Sequence, residues 1–236
     1  TIPFIARYRK ELHGAMDDTS LRTLEERLQY LRGLEERREA VKKSIDEQGK
    51  LTDELAAAID SAKTLAEVED LYRPYKQKRR TRATIAKEKG LEPLAALLFA
   101  QERDCPRPEE AARDFVDPEK GVETVEDALQ GASDIIAEQI SDDAAIRKSL
   151  RALISRQGQL VSRAATEDDS VYRLYYDFTQ SVARLQGHQV LAINRGEKEG
   201  ILKVYITLDR EQALPLLRSA VAVAYTHLTL PTILLV

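Results

Sequence analysis

The sequence predicts a mainly α-helical, multi-helix protein with one long spine helix and a helix-turn-helix-like unit, plus a small β element near residues 189–208. Two patterns carry this. Apolar residues recur three or four apart through most of the chain, interrupted at helix-sized intervals by capping residues, glycine and proline. Strict alternation occurs once, late, where Leu202, Val204, Ile206 and Leu208 are separated by Lys203, Tyr205 and Thr207. Composition agrees: with 43% apolar and 32% charged residues, charge exceeds ordinary usage, which suits long solvated helices. The 236 residues suffice for one large or two small domains.

In order, Thr1 to Glu11 places apolar residues first and charges last, with Pro3 in a first-turn position, so a short helix ends near Gly14. Asp17 or Asp18 then caps the spine, whose apolar residues are Leu21, Leu24, Leu28, Leu31, Leu34, Val41 and Ile45 and which stops at Gly49. About thirty helical residues span about 45 Å. Leu24, Leu28 and Leu31 are expected inside, with Glu39 and Lys43 on the wet face. Thr52 opens an Ala-rich helix carrying Leu55, Ile59 and Ala62, and Thr64-Leu-Ala-Glu67 has capping-box spacing for a helix that Pro74 must end.

Thr84 to Lys89, the glycine turn at Gly90 and Glu92 to Ala100 make the helix-turn-helix-like part of a 64–105 segment. Pro106 and Pro108 precede a helix near Glu109 to Phe115. Val122, Val125, Leu129, Ala132, Ile136 and Ile140 form the next stripe, and Ser141 is expected to cap a helix that ends at Gly158. Tyr172, Leu174, Tyr175, Tyr176 and Phe178 read as core. Val190 to Ile193 fits either a partner strand or a helix, because four residues carry no period.

The stretch with most chemical character is Val68 to Ala86. From Arg73 to Arg82 it carries Arg73, Lys76, Lys78, Arg79, Arg80 and Arg82 with no acidic residue, and Tyr72 and Tyr75 flank Pro74. Cations meet phosphates and rings meet bases, so the pattern suits a single strand of RNA or DNA. A solvated face beside a packed helix end explains the same residues. Lys+Arg of 36 against Asp+Glu of 40 leaves a net charge of −4, so polyanion binding has to be local.

Other chemistry finds no footing. Cys105 is alone, which excludes a disulfide framework and a thiolate cluster. Gly196 and Gly200 lack the phosphate-loop and dinucleotide patterns, and His13, His188 and His227 lack metal-ligand spacing. Asp17-Asp18 and Asp168-Asp169 read as cap and loop. No catalytic, cofactor-binding or metal-binding residue is nominated. The chain opens on Thr1 with its apolar pattern already running and no basic-then-apolar leader, which reads as a piece of a longer intracellular protein.

Several blocks resemble the bacterial Tex family of transcription accessory proteins. They are Thr1 to Glu11, Asp17-Asp18, Leu24-Glu-Glu-Arg-Leu28, Leu34-Glu-Glu-Arg-Arg38, Glu47-Gln-Gly-Lys-Leu-Thr52, Leu71-Tyr-Arg-Pro-Tyr-Lys-Gln-Lys-Arg-Arg-Thr81, Gly90-Leu-Glu-Pro-Leu-Ala95 and Arg195-Gly-Glu-Lys-Glu-Gly200. Together they cover Thr1 to about Asp209, in the family's order. His13 departs from the small hydroxyl residue usual there. The resemblance implies a helical region over 1–185, the start of a central region over 186–212, a connector over 213–223, and a cytoplasmic protein whose RNase-H-like, helix-hairpin-helix and OB-type domains lie outside this chain. Residues 224–236 do not look like the family and resemble sequencing-adapter read-through, a non-native tail.

The expected function is an RNA- or single-stranded-DNA-binding scaffold without catalysis or cofactor, contacting nucleic acid through Arg73, Tyr75, Lys76, Lys78, Arg79, Arg80 and Arg82. Its expected setting is the transcription machinery, with no membrane. The alternative is a helical protein-binding module whose basic stretch docks on an acidic partner or on the missing C-terminal domains.

Overall fold

A computed structural model describes residues 2–14, 16–77, 79–102, 105–166 and 169–222; Lys78, Asp168 and the 224–236 tail lie outside them. The protein is mainly α, with a small antiparallel sheet, and falls into two compact units, Thr1–Gln77 and Lys78–Val236. Among the described residues no helix is long and apolar enough to cross a membrane.

The first unit begins with α1 (Ile2–Tyr8) and α2 (Lys10–His13), closed by Gly14 at φ +63. Asp17 caps the spine α3 (Asp18–Asp46) by accepting from the Ser20 N–H at 2.7 Å, so this carboxylate is a cap, as its position suggested. Thr52 and Thr64 cap α4 (Asp53–Ser61) and α5 (Leu65–Tyr72) in the same way. The core gathers Leu34, Val41 and Ile45 of α3 with Ile59, Ala62 and Val68.

The inward stripe of α3 is shorter than its periodicity predicts. Leu24, Leu28 and Leu31 are 54%, 45% and 44% exposed, not buried. Length explains it: 29 residues extend about 43 Å, whereas α4 and α5 reach only about 13 and 12 Å. Those two helices enclose the C-terminal half of the spine, and near its start only Leu21 is buried. Glu39 and Lys43 do face solvent.

In the second unit, α6 (Arg82–Glu88), α7 (Glu92–Ala100) and α8 (Pro108–Arg113) pack on α9 (Val125–Asp142). A Thr124/Asp127 capping box starts α9. Its Ala128, Ala132, Ile135 and Ile136 meet Ala83, Ala86, Leu91, Leu94, Ala111 and Val122 in a second core. Gly131 permits the close approach, since a Cβ there would stand 2.3 Å from Leu91 Cδ1. Asp143, not Ser141, caps α10 (Ala144–Gln157): its carboxylate accepts from the Ile146 N–H at 2.8 Å while Ser141 remains inside α9.

The β element is larger than alternation revealed. Strands β1 (Gln159–Ala164), β2 (Asp177–Ser181) and β3 (Leu202–Thr207) form an antiparallel sheet in the order β2-β1-β3. Residues 190–193 belong to α11 (Gly187–Lys198), and α12 (Arg210–Val221) follows β3. The aromatic cluster is split. Tyr172 is buried, Tyr175, Tyr176 and Phe178 are half-buried, and Leu174 is exposed.

Candidate nucleic-acid interface

The basic stretch begins where α5 has to stop. Pro74 cannot continue the helical hydrogen-bond ladder, and Arg73–Tyr75 tighten into a 3₁₀ turn from which the chain leaves extended at Lys76. It regains order at Thr81, whose hydroxyl accepts from the Thr84 N–H at 3.1 Å and caps α6. The helix therefore starts at Arg82, earlier than the expected Thr84. The stretch is shared between the units: Arg73, Tyr75 and Lys76 close the first, and Arg79, Arg80 and Arg82 open the second.

The two tyrosines are anchored rather than free. Tyr72 shares a 3.1 Å hydrogen bond with Ser44, and the Arg37 guanidinium lies 5.4 Å over its ring. Glu69 holds that guanidinium at 2.6 Å, and their hydrogen bond is the main cause that raises its pKa. Tyr75 is half-buried against the first core, and its carbonyl accepts from the Gln48 amide at 3.1 Å. Only part of its ring is open to a base.

The cations are the open part. Arg73, Lys76, Arg79, Arg80 and Arg82 are all exposed; Lys78 lies outside the described residues. Arg80 pairs with Glu88 at 2.7 Å, and Arg82, its side chain 83% exposed, stands 3.7 Å from Asp134. Among the described residues Lys76 and Arg79 make no ion pair. Exposed pairs are worth about 0–1 kcal/mol, so a phosphate can displace Glu88 from Arg80 at little cost. Glu88 and Asp134 carry no local signal as partners, because each meets its arginine only once α6 and α9 are in place.

The helix-turn-helix-like pair does not supply a groove reader. Gly90, at φ +85, makes the turn, but α7 is Glu-Pro-Leu-Ala-Ala-Leu-Leu-Phe-Ala, with Leu94 and Ala95 in the core. Its one polar side chain is acidic. Base edges in a groove are read chiefly by Arg, Lys, Asn and Gln.

Two family models match the chain: the Tex-like protein N-terminal domain over residues 1–46, and the Tex central region-like model over residues 104–229. Over 212 residues the chain is 48% identical to Protein YhgF of Escherichia coli, covering 89% of the chain and 27% of that protein. It is 46% identical over 209 residues to the transcriptional accessory protein Tex of Neisseria gonorrhoeae, covering 86% and 27%. It is 31% identical over 220 residues to the human S1 RNA-binding domain-containing protein 1, covering 89% and 22%. The chain thus spans about a quarter of the length of these relatives.

Proposed function

The chain belongs to the Tex family, and on that premise we propose that it is a non-catalytic, nucleic-acid-binding scaffold segment of a transcription accessory protein, contacting RNA or single-stranded DNA through its 73–82 cations. The observation that carries the reading is a run of exposed cations with no acidic residue among them, in a chain of net charge −4. Support also comes from relatives named for transcription accessory function and for an S1 RNA-binding domain.

Chain continuity keeps the cations together. Four residue steps from Lys76 to Arg80 span at most about 14 Å, within reach of one short strand of nucleic acid. Because the tyrosines are largely committed to packing, charge contributes most, and affinity is expected to depend little on sequence. The test is titration of labelled single-stranded RNAs of unrelated sequence at rising salt. Similar affinities that all fall steeply with salt support the reading, and salt-indifferent or absent binding refutes it.

One observation favours the protein-docking alternative: Arg80 and Arg82 already face carboxylates, Glu88 and Asp134, so an acidic protein surface could take the same cations. An acidic peptide that binds selectively while RNA does not would establish that alternative.

A further inference from the structure

The sheet has two unlike faces. Leu202, Val204, Ser162 and Phe178 share the face turned to α11, where Gly196 lies against Leu202 and Tyr172, and Gln189 donates to Gln180. The register sets three rows on the opposite face: Ser181-Gln159-Thr207, Thr179-Val161-Tyr205 and Asp177-Arg163-Lys203. Apart from buried Val161 and half-buried Ser181, this second face is exposed. Tyr205, 44% exposed, is its only aromatic residue.

Alternate residues on a strand are about 7 Å apart, so Lys203 is one row from Tyr205, and Arg163 is beside Lys203 on the central strand. Among the described residues Lys203 makes no ion pair. Arg163 pairs with Asp177 at the surface, the kind of contact a phosphate can exchange. Beyond the other end of the face, past Tyr205, the Gln159-Thr207 row borders an open cleft of about 340 Å³ lined by Gln157, Gln159, Thr207, Leu208, Asp209 and Gln212. Three primary amides and a carboxylate there offer both donors and acceptors, the groups that pair with exposed base edges.

We propose that this face is a second single-stranded nucleic-acid subsite. A base stacks on Tyr205, the backbone phosphate meets Lys203 and Arg163, and a neighbouring base presents its edge to the cleft. Asp209 caps α12 through Oδ1, which accepts from the Glu211 N–H at 3.0 Å, and its second oxygen fits this role as an acceptor for an exocyclic amino group, not as a phosphate contact. The inference rests on the nucleic-acid reading of the protein but uses none of the 73–82 residues. RNA and single-stranded DNA present the same rings and phosphates, so oligonucleotides of both kinds, matched in sequence, identify the preferred one.

The test is anisotropy titration of both oligonucleotides with the unmodified chain, Tyr205→Ala, Tyr205→Phe and Arg79→Ala/Arg80→Ala, together with photocrosslinking of a thiouracil-bearing oligonucleotide to the unmodified chain. Stacking on one ring predicts about tenfold weaker binding for Tyr205→Ala, retention within about twofold for Tyr205→Phe, and a crosslinked peptide containing Tyr205. If Tyr205→Ala retains its fold and full affinity while Arg79→Ala/Arg80→Ala weakens, the sheet subsite is refuted and the 73–82 reading stands. If neither variant weakens binding, both fail. Should Tyr205→Ala unfold, crosslinking decides: a Tyr205 peptide supports the subsite, and its absence overturns it.

Discussion

Leu34 and Leu28 lie six residues apart on one helix and should respond very differently to truncation. Leu34 is 2% exposed in the first core. Replacing it with Ala removes three buried carbons, about 2.4 kcal/mol of transfer free energy at ~0.8 kcal/mol each, and leaves a cavity. The expected total is about 3–5 kcal/mol. Leu28 is 45% exposed, so roughly half the transfer contribution applies and no closed cavity forms, giving about 1 kcal/mol. With no Trp in the chain, urea unfolding is followed by tyrosine fluorescence, to which Tyr30, Tyr72 and Tyr75 at this core contribute together with the tyrosines of the second unit. Far-UV circular dichroism serves as the second probe, because two units need not unfold together. A Leu28→Ala cost above about 2 kcal/mol, or a Leu34→Ala cost below about 1.5, would show that the enclosed half of the spine has been misplaced.

Gly131→Val should destabilise the second unit by about 1–3 kcal/mol, since its Cβ alone would stand 2.3 Å from Leu91 Cδ1, at the start of α7, and 3.3 Å from Ala86 Cβ of α6; an unchanged urea midpoint would contradict that packing. Gly90→Ala meets no neighbour and should cost about 1–2 kcal/mol from positive φ alone, as read by thermal unfolding. Asp17 and Asp117 are held below the ordinary carboxylate range, by the Ser20 hydrogen bonds and chiefly by the Lys120 hydrogen bond respectively. A lowered folded pKa gives stability that is present above the unfolded value and lost as pH falls through the folded one. The stability advantage of the unmodified chain over Asp17→Asn should therefore be largest near neutral pH and shrink as pH falls through the carboxylate range, and a difference that does not change with pH would remove the Asp17 charge from the account. Glu88→Gln should free Arg80 and strengthen RNA binding by up to about fivefold at low salt; weaker binding would mean that the pair positions Arg80 instead.

How much of this was legible depended on whether the signal was local. Caps at Asp17, Thr52 and Thr64 and the stop at Pro74 act within one turn, and each is where the sequence put it. Leu24, Leu28 and Leu31 were misread because a stripe shows which side chains share a face, not how far α4 and α5 reach along it. Strand β1, Gln-Leu-Val-Ser-Arg-Ala, lies in the middle of the sheet and buries the adjacent Val161 and Ser162, so it has no clean alternation; β2, Asp-Phe-Thr-Gln-Ser, has one large apolar residue. At the candidate interface the run of cations was readable, whereas whether they are exposed or paired was not. The packing of Tyr75 and the carboxylates facing Arg80 and Arg82 were not, because both arise from tertiary contacts 27 residues away in the case of Gln48 and Tyr75, and from helix placement in the case of Asp134.

The salt dependence of single-stranded RNA binding tests the central claim most directly. Each neutralised phosphate contributes about 0.7 to the log-log slope for a single strand, so Lys76→Ala/Arg79→Ala/Arg80→Ala should lower the slope by up to about 2 and weaken binding alike across unrelated sequences. Circular dichroism of the triple variant should match the unmodified chain, because all three side chains are exposed. An unchanged slope and affinity in a folded triple variant would contradict phosphate contact at this stretch and transfer its cations to the protein-docking alternative.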